Sequence, residues 1–205
     1  MENKIPDILL VYPSEFIDEL IEKEIALFNH KNIDIKVLKS DNKTFMALEW
    51  IIPTGFIVYI LKPYFTAFLS EAGKDHYQIL KKGLKKLIEK AKYIKAGFIA
   101  SKYSTQKISK SYSQSVVISI IFQTRDNKPI KLLFDNKLEL SEWENSIDEV
   151  LELLVENYNS YPEDRLTKMT QNLNYKAGKE IYAIINPESK KIELLDDNEM
   201  FKKYK

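Results

Sequence analysis

Two six-residue runs, DILLVY at 7–12 and FIVYIL at 56–61, constrain this chain more than anything else in it. Neither alternates between apolar and polar residues, so neither suits a strand with one face in water. Such strands need cover on both faces, as in a sheet flanked by helices. After the first run the apolar spacing lengthens to three and four. Phe16, Ile17, Leu20, Ile21, Ile25 and Phe28 form a helical stripe that Ser14 can cap. Ile33–Leu38 then alternates Ile33, Ile35 and Val37 against Asp34 and Lys36, which predicts a strand with a wetter face, at the edge of the sheet. Thr44–Trp50 is a short helical segment closed by Pro53 and Gly55.

The second run leads into a broken helix. Pro63 fits a first helical turn, where its missing N–H costs nothing, and Phe65, Phe68, Leu69 and Ala72 share one face before Gly73. Asp75 with Gln78 restarts the helix as a capping box, and Leu80, Leu84, Leu87, Ile88 and Ala91 continue the stripe. Ala96–Ser101 reads as a further apolar strand. The order β-α-β-α-β-α-β predicts a right-handed, parallel, doubly wound α/β half over residues 1–101.

Beyond Ser101 the pattern changes. KYSTQKISKSYSQ at 102–114 reads as a loop. Ser115–Thr124 and Pro129–Phe134 form a hairpin around Arg125-Asp126-Asn127-Lys128. Ser141 and Glu144 make a capping box for a long amphipathic helix through Trp143, Ile147, Val150, Leu151, Leu154, Val155 and Tyr158. Past Pro162 comes a weaker helix through Leu166, Met169 and Leu173, then a last hairpin, Glu180–Ile185 with Lys191–Leu195. Residues 115–205 thus make a hairpin-helix-hairpin half, and the chain is α+β as a whole. Whether both halves share one sheet in a single domain stays open at this level.

Composition removes several chemistries. The chain has 205 residues and no cysteine, which excludes disulfides, thiolate metal sites and cysteine nucleophiles. MENKIPDILLVYP has no basic segment followed by an apolar run, and the longest apolar-rich window, 50–61, falls short of the ~20 residues a membrane helix needs. These features lead us to expect a cytoplasmic protein away from the membrane. Its many lysines, isoleucines and asparagines suggest an AT-rich bacterial genome. The net charge of +1 hides an uneven distribution. Residues 74–110 hold eleven lysines against Asp75 and Glu89, while residues 139–164 hold nine acidic residues and no basic one. The two segments could face each other, be solvated separately, or meet partners.

Candidate chemistry gathers in three places. At the carboxyl ends of parallel strands, where open α/β sheets bind ligands, Tyr12, Ser14, Lys62, Tyr64, Lys102 and Tyr103 could hold an anion or a nucleotide-like ligand. Neither glycine-rich phosphate cradle is present. Around the helix break, Glu71, Lys74, Asp75, His76 and Tyr77 could serve proton transfer, although capping already explains Asp75. Lys81, Lys82, Lys85 and Lys86 form a basic helix face able to contact phosphates. With His30 the only other histidine, no metal-ligand spacing occurs, and no cofactor is evident.

In element order the first half resembles a TIR domain. DILLVYPSE matches the first strand, the segment from Ser14 the first helix, IDIKVL the second strand, and FIVYILKPYFTAFLSEAG the third strand and following helix. The resemblance covers residues 7–72 and implies NAD cleavage with Glu71 as the catalytic glutamate. Three functional expectations result. The first is a non-catalytic interaction or small-ligand-sensing module, working through a protein partner or a homo-oligomer. The others are a TIR-like NAD hydrolase using Glu71, and nucleic-acid binding through the lysine-rich 81–110 surface.

Overall fold

The protein is described by a computed structural model covering residues 5–13, 23, 25–28, 33–40, 54–68, 74–93 and 113–203. Its strands are β1 (Ile8–Pro13), β2 (Ile35–Ser40), β3 (Phe56–Ile60), β4 (Ile118–Gln123), β5 (Pro129–Leu132), β6 (Ile181–Ile185) and β7 (Ile192–Leu195). Its helices are α1 (Lys62–Phe68), α2 (Lys74–Tyr93), α3 (Leu140–Ser160), α4 (Arg165–Thr170) and α5 (Asp197–Lys203), with a 3-10 turn at Ala26–Phe28. The segments expected to be a helix over 44–50, a strand over 96–101 and a loop over 102–112 lie outside the described residues.

The strands form a seven-stranded mixed sheet in the order β2-β1-β3-β4-β5-β6-β7, so the fold is α/β. Both halves of the sequence contribute to this sheet, joined where β3 pairs with β4. The three parallel pairs, β1 with β2, β3 with β4 and β5 with β6, each close over an intervening helical segment. Antiparallel contacts link one pair to the next: β1 with β3, and β4 with β5.

That alternation corrects one expectation. The first half is not parallel throughout, because β3 runs antiparallel to β1, with Ile8 opposite Ile60 and Val11 opposite Ile57. A fully apolar strand is equally well buried in either direction, so the hydrophobic run specified burial and left orientation to the connection. Burial on both faces is as expected, with only Tyr59 half-buried in β3.

One face of the sheet, carrying Leu10, Val58, Ile120, Leu132 and Ala183, packs with α1, α2, α3, α4 and Phe28 into the main core. Gly83 of α2 lets the Phe28 ring come close, for a Cβ there would lie 2.5 Å from Cε1. On the other face, Met200 of α5 covers Leu133, Tyr182, Ile184 and Leu195, and Val11, Ile57 and Ile121 form a separate small cluster.

The expected hairpins are both present, and Asn127 takes the left-handed φ of 65° that the first turn requires. Two caps are displaced. α3 begins at Leu140 with Glu139 at its N-cap, and the Glu142 carboxylate accepts from the Glu139 N–H at 2.7 Å, in place of the expected Ser141/Glu144 box. Asp75 lies inside the first turn of α2, where its charge complements the helix dipole. The indole of Trp143 then fixes the start of α3 by donating to the Asp135 carbonyl at 2.8 Å.

Candidate functional site

The antiparallel course of β3 separates the residues expected to converge. Tyr12 lies at the end of β1 beside Phe56, with ring centroids 5.9 Å apart, and is buried. Lys62 follows the far end of β3, where the Leu61 N–H reaches the Asp7 carbonyl at 2.9 Å. Tyr12 and Lys62 therefore stand at opposite ends of the sheet. Ser14, Lys102, Tyr103 and Glu71 lie outside the described residues.

Lys62 and Tyr64 are built into the fold. Lys62 Nζ donates to the Arg125 carbonyl at 2.9 Å, and its backbone N–H donates to Gln123 Oε1 at 3.0 Å. These bonds tie the start of α1 to the β4–β5 turn. The same turn is held from α3, where buried Asn157 accepts from the Arg125 N–H at 2.9 Å and donates to Asp164 at 3.1 Å. Tyr64 is buried and donates its hydroxyl to the His76 carbonyl at 2.9 Å, joining α1 to α2. Burial, reinforced by the Asp7 carboxylate, raises its phenol pKa well above the ordinary value. It therefore stays protonated and acts as a donor. His76 is itself buried.

The lysine face of α2 is partly consumed inside the molecule. α2 packs against α3, and Asp148 of α3 takes Lys85 at 2.9 Å and Lys81 at 3.1 Å. Lys86 pairs with Glu89 at 2.9 Å, whereas Lys82 is exposed. The basic and acidic segments thus face each other along these two helices. The groove they border, lined by Gln78, the four lysines and Glu144, encloses about 270 Å³. A second cleft of about 230 Å³ lies between Tyr175, Lys179, Glu180, Asp196 and Phe201. Both are smaller than the ~300–1,000 Å³ of ordinary small-molecule sites. Asp196 is committed to capping α5, its carboxylate accepting from the N–H groups of Asn174, Asn198 and Glu199. No group of side chains among the described residues is suited to hold a metal ion, and no described helix is long and apolar enough to cross a membrane.

Lys131 is a buried cation that the sequence pattern did not bring forward. It sits in β5 on the sheet face away from the main helix layer, only 1% exposed, with Nζ 3.7 Å from Glu180 Oε2. A lysine inside PIKLLF, at the alternate register to Ile130 and Leu132, was the available signal.

The two edges of the sheet differ sharply. β7 is a four-residue strand whose Ile192, Leu194 and Leu195 are buried. The Ile192 N–H donates to Glu149 of α3 at 3.3 Å, and Glu193 is held by Lys203 of α5 at 2.7 Å. β2 is six residues long, and no strand among the described residues pairs with its outer side. Val37 and Leu38, on opposite faces, are 37% and 41% exposed, beside Leu10 and Val11 of β1 at 0% and 8%. Lys36 and Lys39 flank them and are exposed. The Ile8 N–H bonds to the Asp34 carbonyl at 3.1 Å, which fixes the phase of the strand. Asp34, Lys36 and Leu38 turn their backbone polar groups toward β1, and Ile35, Val37 and Lys39 turn theirs outward.

No protein-family model matches the chain, and no curated protein or solved structure does either.

Proposed function

We propose that the chain is a non-catalytic interaction module that docks a partner along the edge of β2. The contrast between the two sheet edges carries this reading. An exposed edge strand is a template for pairing with another chain, and proteins commonly blunt such edges with charges, short strands or covering elements. At β7 the fold uses all three devices, whereas at β2 no strand among the described residues covers the outward backbone groups of Ile35 and Val37, beside the half-exposed Val37 and Leu38 side chains. Strand addition supplies affinity through main-chain hydrogen bonds and selectivity through alternate side chains.

Small-ligand sensing has less support, because Lys62 and Tyr64 are committed to holding α1 and the two clefts described above, among the described residues, are small. Phosphate contact through α2 competes with Asp148 for Lys81 and Lys85. Cleavage of NAD through Glu71 rests on the resemblance in element order alone.

A photo-crosslinking residue at position 37, compared with one at 193, tests the proposal in the cells that make the protein. Crosslinked partners concentrated at position 37 are the expected result. Equal yields at the two positions, or none at 37, would overturn it.

A further inference from the structure

The edge of β2 is matched by its own sequence, and this inference rests on the reading of β2 as a docking edge. We propose that the partner is a second copy of the chain, paired antiparallel about a twofold axis through Ile35. The asymmetry of the sheet favours such closure. β7 is blunted by Glu149, Glu193 and Lys203, which leaves each copy the β2 edge to build on. A twofold pairing consumes that edge in both copies and stops at two chains, because blunted β7 edges then face outward.

The register follows from the alternation along residues 33–37. Asp34 turns its backbone inward, its N–H donating to Asp7 Oδ2 at 2.8 Å and its carbonyl accepting from the Ile8 N–H. Ile33, Ile35 and Val37 therefore direct backbone groups outward, and their side chains lie on the face of the main helix layer. Ile33 and Ile35 already pack against the core there. An antiparallel ladder joins outward-facing residues to one another, so the axis passes through a residue. Centring on Asp34 or Lys36 sets like charges face to face, which is unfavourable. Centring on Val37 sets Ile35 opposite Lys39, and centring on Leu38 sets Val37 opposite Lys39. Centring on Ile35 sets it against its own twin, with Val37 opposite Ile33 and Lys36 opposite Asp34. The half-exposed Val37 is then covered by Ile33 of the second copy, and no like charges are opposed. Apolar side chains meeting apolar side chains select this register, which asks no bond of the Asp34 or Lys39 side chains.

The chain has no cysteine, so a single introduced one reports its distance from its own twin. Ile35→Cys, Lys36→Cys, Val37→Cys and Leu38→Cys are oxidised in turn, and the disulfide dimer is quantified on a non-reducing gel. Ile35→Cys should crosslink at least about tenfold faster than the rest, because its twins stand about 5.5 Å apart between Cα atoms, whereas those of Lys36→Cys lie on a diagonal of about 7–8 Å. Sedimentation equilibrium of the wild-type chain should give a reversible dimer with a Kd of about 0.1 mM, so that the free chain predominates at about 10 μM. Val37→Pro removes an outward N–H and leaves the bonds to β1 in place, where an edge strand tolerates proline. It should be monomeric at about 1 mM with its circular dichroism unchanged. Val37→Lys keeps that N–H but sets an ammonium opposite Ile33, and should weaken dimerisation at least about tenfold. Crosslinking no faster at 35 than at 36, 37 or 38 would overturn the pairing, as would wild-type dimerisation of both Val37 variants. A chain that stays monomeric to about 1 mM, while photo-crosslinks at 37 reach another protein, overturns the second copy and leaves β2 a docking edge. A monomer without crosslinks at 37 removes the edge reading as well.

Discussion

Gly83→Ala tests the contact that seats the β1-to-β2 crossover, and with it the edge. Alanine in place of glycine inside an exposed helix normally gains ~1 kcal/mol. At Gly83 the new Cβ would stand 2.5, 2.8 and 2.9 Å from three ring carbons of Phe28. Carbon pairs settle at ~3.5–4.0 Å, so the ring must retreat by about 1 Å. Phe28 is 0% exposed and belongs to the main core, which leaves it nowhere to go. Overpacking of this kind costs ~1–3 kcal/mol, so the net change is a destabilisation of ~0–2 kcal/mol. In a Phe28→Leu background the offending ring carbons are gone, and Gly83→Ala should stabilise by ~1 kcal/mol. The coupling between the two sites is therefore ~1–3 kcal/mol. Urea unfolding of wild type, both single variants and the double variant at 25 °C measures it. Stabilisation by the full ~1 kcal/mol in the wild-type background would refute the packing of the 3-10 turn on α2.

Lys62→Met should cost ~0.5–1.5 kcal/mol through the lost bond to the Arg125 carbonyl, read by denaturant unfolding; no loss would restore Lys62 as a candidate ligand group. Leu38→Pro removes an N–H that faces β1, so it should cost at least ~1 kcal/mol more than Val37→Pro, and equal costs would contradict the phase of β2. Asp164 caps α4, and although burial pushes its carboxyl pKa up, bonds from the Thr167 hydroxyl and N–H and from Asn157 outweigh this and hold it below the ordinary carboxylate value. A depressed carboxylate contributes stability above its unfolded pKa that is lost as pH falls through the folded value. Asp164→Asn should therefore flatten the loss of stability below about pH 4, and an unchanged acid limb would show that Asp164 takes no part in that loss. Incubation with NAD should release no nicotinamide above background; turnover abolished by Glu71→Gln would instead establish the hydrolase.

Burial, hairpins and the edge position of β2 were legible because each rests on a local pattern. DILLVY and FIVYIL carry no polar side and are buried, and IDIKVL alternates and lies at the rim. The turn at 125–128 has asparagine where a positive φ is needed. Strand direction was not legible, since FIVYIL is as apolar read backward as forward, and that one unknown dispersed the expected ligand site. Pairing β3 antiparallel to β1 moved Lys62 and Tyr64 to the end opposite Tyr12. The cap of α3 differs from the expected one because Glu139/Glu142 and Ser141/Glu144 both satisfy the three-residue spacing, and only the tertiary seat of Trp143 selects between them. Lys131 escapes notice because Ile130 and Leu132 dominate the pattern of its strand, and a buried lysine stands out only once the opposite face is known to be covered.

Amide hydrogen exchange resolved by NMR addresses the difference between the two edges most directly. In the free chain the Val37 amide should exchange at least about tenfold faster than those of Lys36 and Leu38 on the same strand, with Ile192 protected at the opposite edge. A Val37 amide already as protected as its neighbours in the free chain would mean that the edge of β2 is occupied, and β2 would then be no docking edge.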